Sequence, residues 1–146
     1  METKFSANPG QLIQRMARMS NRWLEPRLQE MGLAVAQVPV FGALQQLGPM
    51  SQRELAMLLH VEQPTMAQLL NRMERDGLIA RKPDPKDGRS SLISLTARAL
   101  KRSEEARDIL MEGRQISLQG FTKAEVETLQ KLLQRMVDNM EEELGK

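Results

Sequence analysis

The chain has 146 residues, a formal net charge of +2 and no cysteine. That length supports one domain with a modest core, and the missing cysteine excludes disulfide scaffolds and thiol chemistry. No apolar run approaches the roughly 18 residues of a membrane span, and the opening METKFSANPG lacks the basic-then-apolar order of a signal peptide, so a cytoplasmic protein with no membrane partner is expected.

A charge of +2 is too small to announce nucleic acid by itself, so its placement matters more. Residues 51–96 carry seven basic against six acidic side chains, whereas 121–146 carry four against six. The C-terminal segment is therefore expected to face away from a polyanion, and the central arginines must act by position.

Residues 1–9 read as a loose end. From Gly10, Leu12, Ile13, Met16, Met19, Trp23, Leu24, Leu28 and Met31 recur at helical spacing. Pro26 removes a backbone donor inside this run, which predicts a kink or break there, before Gly32. A second helix is predicted over 33–47, with Val38, Phe41, Leu44 and Leu47 on one face. Pro39 is acceptable only within its first turn, which puts the start at Val35 or Ala36.

Ser51 and Glu54 have the spacing of a capping box, so a third helix should begin at Ser51. It carries Leu55, Leu58 and Leu59 as an apolar stripe, with Ala56 as a small crossing residue, and should end near His60. His60 stands in the turn, where a positive φ is often needed and glycine is usual. Val61 is an apolar plug, and Pro64 suits a first helical turn. The fourth helix runs from about Pro64 to Asp76, with Met66, Leu69, Leu70 and Met73 on its core side and Gly77 as the stop. Its other side carries Gln63, Thr65, Gln68, Asn71, Arg72 and Arg75, groups that can bond base edges and phosphates.

Leu78–Lys82 and Leu92–Thr96 are predicted strands, with Ile79, Ile93 and Leu95 facing inward. Between them, residues 83–89 are turn chemistry with charges of both signs. Arg89 is placed at the tip, where it could enter a minor groove. Asp87 would repel DNA, so it is expected to brace the wing by accepting from Arg81 or Arg89.

Residues 97–118 read as a polar helical strut with Leu100, Ile109, Leu110 and Ile116 as its large apolar residues. Thr122 and Glu125 form another capping box. The helix that follows places Val126, Leu129, Leu133, Met136, Val137, Met140 and Leu144 on one side, a stripe that needs a partner. The expected fold is mainly α with a small β-wing. A winged helix-turn-helix lobe (33–96) is combined with N- and C-terminal helices (10–32 and 97–144) that intertwine in a homodimer.

The runs Asp76-Gly77-Leu78-Ile79-Ala80-Arg81, Asp84-Pro85-Lys86-Asp87-Gly88-Arg89-Ser90 and Leu95-Thr96 resemble the wing signature of the MarR family of bacterial transcription regulators. With the helices before them, the similarity covers nearly the whole chain. It implies a homodimeric repressor on a palindromic double-stranded DNA operator, released by a small phenolic or other aromatic effector bound between the dimer helices and the DNA-binding lobe. Met19, Trp23, Phe41 and His60 are the candidates around such a cleft. Thiol-based peroxide sensing is excluded without cysteine, and urate is disfavoured because relatives that bind it carry an acidic residue near the position of Pro39.

Ser51, Gln63, Pro64, Thr65, Gln68, Asn71, Arg72, Arg75 and Arg89 are thus the candidate DNA contacts. Gln68 and Thr65 are assigned to bases, and Ser51, Asn71, Arg72 and Arg75 to phosphate. His60 is the only histidine, so no metal or other cofactor is expected, and no nucleophile–base pair argues for an enzyme. Two other readings use the same residues: a winged helix whose exposed face binds a protein, and a non-specific architectural DNA-binding protein.

Overall fold

The structure is a computed structural model that describes residues 6–146. Of the stretch read as a loose end, residues 1–5 lie outside the described residues, and Pro9 already belongs to the first helix. Helix α1 spans Pro9–Gln29. It opens with a capping box that the sequence reading did not use: Gln11 N–H donates to Asn8 Oδ1 at 2.9 Å, and Asn8 N–H to Gln11 Oε1 at 3.0 Å. The helix continues through Pro26 rather than breaking there. Arg22 and Pro26 are both exposed, so water can serve the carbonyl that loses its donor. The stop comes at Gly32, whose φ of +71° favours glycine.

A 3-10 turn at Val35–Gln37 leads into α2, Val38–Leu47. The turn holds a buried amide: Gln37 Oε1 accepts from Ala34 N–H at 3.0 Å, which meets the demand that a buried polar group be bonded. Val40, Phe41, Ala43 and Leu44 face the core, whereas Leu47 is exposed.

Helix α3, Gln52–Leu59, starts at the Ser51 box: Ser51 Oγ accepts from Glu54 N–H at 3.1 Å and Glu54 Oε1 from Ser51 N–H at 3.3 Å. Its buried side is Leu55 and Ala56 with Leu59 partly covered, and Leu58 points to solvent. His60 ends it in the left-handed region, φ 53° and ψ 45°, and Val61 packs against the core. Helix α4 is Gln63–Arg75. Met66, Leu70 and Met73 along it are fully buried. Burying side chains of this size stabilises a fold by about 1.5–3 kcal/mol each, so this stripe anchors the helix.

Gly77, at φ +75°, turns the chain out of α4 into an antiparallel pair, β1 (Ile79–Asp84) and β2 (Asp87–Leu95). Both strands are longer than the sequence suggested, so the turn narrows to Pro85-Lys86, and Asp87, Gly88 and Arg89 belong to β2. The register slips next to Pro83, with Asp84 opposite Asp87 but Pro83 opposite Ser91. Met50 adds a single rung: its N–H donates to Ile93 O at 3.1 Å, and its carbonyl oxygen accepts from Ile93 N–H at 2.7 Å. This ties the α2–α3 link to the wing.

Helix α5, Ala97–Ser117, buries Ala99 and Ala106, two turns apart, while Leu100 and Ile116 are exposed. Ile109 and Leu110 are half-buried, and the residues that α5 buries fully are small ones, which let a helix approach closely. The chain divides into two compact units, one reaching to Leu110 and one of Met111–Lys146. In the second, α6 (Lys123–Leu144) begins at the Thr122 capping box and has no buried residue, so Leu129, Leu133, Met136 and Met140 all lie open. Among the described residues no helix is long and apolar enough to cross a membrane.

Two stability predictions follow from these termini. A β-branched residue fits the left-handed region poorly, so His60→Val should lose ~1–2 kcal/mol in urea unfolding, while His60→Gly should hold or gain stability. At the second site, Thr122 N–H, and then the Thr122 hydroxyl, hold the Glu125 carboxyl below its ordinary pKa of 4.5. A depressed carboxylate contributes stability that is present above its unfolded pKa and lost as pH falls through the folded value. The Tm advantage of wild type over Glu125→Gln should therefore be constant near neutrality and shrink below pH 4.5.

Candidate nucleic-acid interface

Helix α4 has two sides with opposite chemistry. At about 100° per residue, Thr65, Gln68, Arg72 and Arg75 fall within about 80° of one another, opposite the buried Met66, Leu70 and Met73. All four are exposed. Among the described residues Thr65, Gln68 and Arg72 have no side-chain partner, and Arg75 has only a 3.8 Å contact with Asp76 in which its own side chain is 74% exposed. Such a pair is worth little in water, so the guanidinium remains free to bind elsewhere.

The remaining candidates on this element are placed differently. Gln63 lies off the row, and its Oε1 accepts from Gln52 Nε2 at 3.4 Å, which links the starts of α3 and α4. Pro64 sits in the first turn of α4 and is exposed. Ser51 is buried and its hydroxyl serves the α3 cap. Asn71 stands at the edge of the row and accepts a hydrogen bond from the wing: Arg81 Nη2 donates to its Oδ1 at 2.8 Å.

Of the two partners expected for Asp87, Arg81 is therefore engaged elsewhere. Its Nε is buried and lies 3.6 Å from Glu74 Oε2, an ion contact slightly too long for a hydrogen bond, so this strand residue is bound to α4. The sequence pattern gave no register for β1 against α4, and the nearer acid in the chain was the wrong partner. Asp87 braces the wing locally: its Oδ1 accepts from the Arg89 backbone N–H at 3.0 Å. Asp84 does the same for Lys86 N–H at 2.9 Å. The Arg89 guanidinium is exposed, has no ion-pair partner among the described residues, and projects from β2 rather than from the turn.

Thr96 is a structural residue that the sequence reading missed. Its hydroxyl donates to Gly77 O at 2.6 Å and accepts from Ala99 N–H at 3.1 Å, so it caps α5 while holding the exit of α4. Position 99 is alanine, so the reciprocal half of a capping box is absent and the signal was half its usual strength.

A cavity of about 110 Å³ lies in the first unit, walled by Leu28, Leu33, Val38, Phe41, Ala106 and Leu110, with Gln45 and Ser103 at its edge. Gln45 Nε2 donates to Ser103 Oγ at 2.9 Å. Of the four effector candidates only Phe41 lines it. Met19 is exposed, Trp23 is stacked under Arg27 at 3.9 Å, and His60 is in the α3–α4 turn, so the structure does not gather these four into one site. Among the described residues no group of three or more His, Cys, Asp or Glu side chains could hold a metal.

The profile of the MarR family matches residues 31–90, the span from the end of α1 to the wing. The transcriptional repressor IacR of Pseudomonas putida is 29% identical over 129 residues, 86% of this chain and 77% of IacR. A mutant E. coli MarR, solved complexed with operator DNA, is 26% identical with a TM-score of 0.78, over 87% of this chain and 91% of that one.

The chain resembles the MarR family. The likeness spans the winged helix-turn-helix that the Ser51–Thr96 stretch implied, and the relatives that share it are transcription regulators. SlyA, at 23% identity, superimposes with a TM-score of 0.85 over 94% of this chain and 96% of its own, which attests the MarR fold.

Proposed function

We propose that this chain is a cytoplasmic, homodimeric repressor of the MarR type that binds a palindromic operator and is released by a small aromatic or phenolic ligand. The exposed row Thr65, Gln68, Arg72 and Arg75 on a helix anchored by a fully buried stripe carries this reading. A row of amide, hydroxyl and guanidinium groups on a rigid helix suits a major groove, and Arg89 on the wing suits the minor groove beside it. The operator complex of E. coli MarR and the repressor name of IacR lend support by likeness.

The exposed stripe of α6 supports the dimer. An apolar stripe with no buried residue among those described is costly to leave in water, and a two-fold partner supplies the same stripe in return. The effector reading rests on the Phe41 cavity. At about 110 Å³ it is smaller than the ~150 Å³ apolar cavity that accepts benzene, so an aromatic ligand must widen it, and that strain is a route from binding to DNA release.

Selection from a randomised duplex pool supplies the preferred site, and titration against it and a scrambled duplex tests the reading. Specific binding should be ~10³-fold or more tighter than non-specific binding. Near-equal binding to both would indicate an architectural protein, and binding to neither a protein-interaction module.

Side chains should divide by task. Gln68→Ala is expected to change the selected sequence, whereas Arg75→Ala should weaken all duplexes alike and lower the salt slope by about one unit. Arg89→Ala should lower operator affinity by ~1–3 kcal/mol, a defect that added salt blunts. Asp87→Ala frees the Arg89 backbone and makes binding order the loop, so its defect should be comparatively insensitive to salt. Tighter binding by Asp87→Ala would show that removing charge repulsion outweighs the brace.

A further inference from the structure

We propose that Arg81 is a positioning residue that fixes the Asn71 amide with its oxygen toward the wing and its NH2 group outward, so that Asn71 donates to a phosphate oxygen. The inference rests on the reading that α4 enters the major groove.

Arginine has five N–H donors and no acceptor. The amide atom that lies 2.8 Å from Arg81 Nη2 must therefore be Oδ1, and this settles the orientation of a group that could otherwise flip. The guanidinium is itself held. Arg81 belongs to β1, where it pairs with Ile93 in the ladder, its side chain is 28% exposed, and its Nε lies 3.6 Å from Glu74 Oε2. Asn71 and Glu74 are three residues apart on α4, so one cation spans successive turns of the helix from the side of the wing.

Two consequences follow for DNA. With Oδ1 turned to the wing, the Asn71 NH2 group points away from it, and a bond from a cation to its oxygen polarises the amide and strengthens its donors. Asn71 also lies at the edge of the exposed row, on the wing side of Gln68 and Arg75. A helix lying in a groove meets base edges along its centre line and phosphates along its flanks. The outward donor at that flank suits a phosphate oxygen, and it would fix the register of α4 relative to the wing.

The test uses the full chain on the duplex selected by wild type, with Asn71→Ala, Asn71→Asp, Arg81→Ala and the double alanine variant, each melted in parallel. Losing one donor to a charged acceptor should weaken binding about tenfold in Asn71→Ala, with the salt slope unchanged because no cation is removed. Arg81→Ala should be weakened similarly, and the double variant should be no more than about twofold weaker than the worse single one. Asn71→Asp keeps an acceptor for Arg81 but has no donor, so it should melt no earlier than wild type and still bind at least about tenfold more weakly.

Methylphosphonate replacement at each phosphate in turn should find one position per half-site that weakens wild type but neither Asn71→Ala nor Arg81→Ala. Multiplying defects in the double variant, or a salt slope lowered by about one unit in Arg81→Ala, would overturn the proposal, the second by showing that Arg81 itself touches phosphate. Wild-type affinity in Asn71→Asp would also overturn it. Should Arg81→Ala melt early, Asn71→Asp and the methylphosphonate scan decide. Wild type without any sequence preference would overturn the major-groove reading and this inference together.

Discussion

The geometry of the DNA-binding lobe depends on three hydrogen bonds made by one threonine. Thr96 donates its hydroxyl to Gly77 O at 2.6 Å, accepts from Ala99 N–H at 3.1 Å, and donates its backbone N–H to Leu78 O at 3.1 Å. The exit of α4, the root of both wing strands and the start of α5 are thereby held at one point. Gly77 makes this possible, because its positive φ lets the chain reverse immediately after the helix. Everything distal in the wing inherits its direction from this node.

From that anchor the wing gains rigidity in stages. Ile79 and Ile93 are buried at its base, and the Met50 rung pins Ile93 on its other edge. Farther out, Arg81 crosses to Asn71 and Glu74. The far end is exposed and kept in shape by short local bonds from Asp84 and Asp87. Stability is thus graded, with buried apolar contacts near the helices and solvated polar contacts at the end, which is the pattern of an element that adapts to a surface. Helix α4 has no such gradient: its buried stripe holds the backbone while, on the opposite side, Thr65, Gln68 and Arg72 have no side-chain partner among the described residues. On the proposed function, the groups offered to DNA are therefore fixed in position by buried residues on the opposite side of the helix.

Much of this was legible because the signals were local. Ser51 with Glu54, and Thr122 with Glu125, identify helix starts through bonds three residues apart, and both form as read. His60 was suspect as a non-glycine in a sharp turn, and it does adopt a positive φ. The periodicity of α4 separated its core side from its polar side. What failed was non-local or used weaker versions of the same signals. Asn8 with Gln11 is a capping box in amide form and was passed over. Ala99 and Ala106 join the core from α5, small residues that a search for large apolar side chains passes over. The partner of Arg81 depends on how a strand lies across a helix, which spacing along the chain does not encode. Pro26 was expected to kink or break α1, but the helix continues through it, on an exposed side where water can serve the carbonyl left without a donor.

The unpartnered stripe of α6 and the two-faced α4 together make the central claim geometrical: two copies of the lobe must present two α4 helices to one side of a duplex. Methylation interference combined with hydroxyl-radical footprinting on a selected duplex measures that geometry directly. The account predicts two major-groove clusters related by a dyad and about 34 Å, one helical turn, apart, each bordered by a protected minor groove where a wing lies. A single cluster, or two without two-fold symmetry, would contradict it.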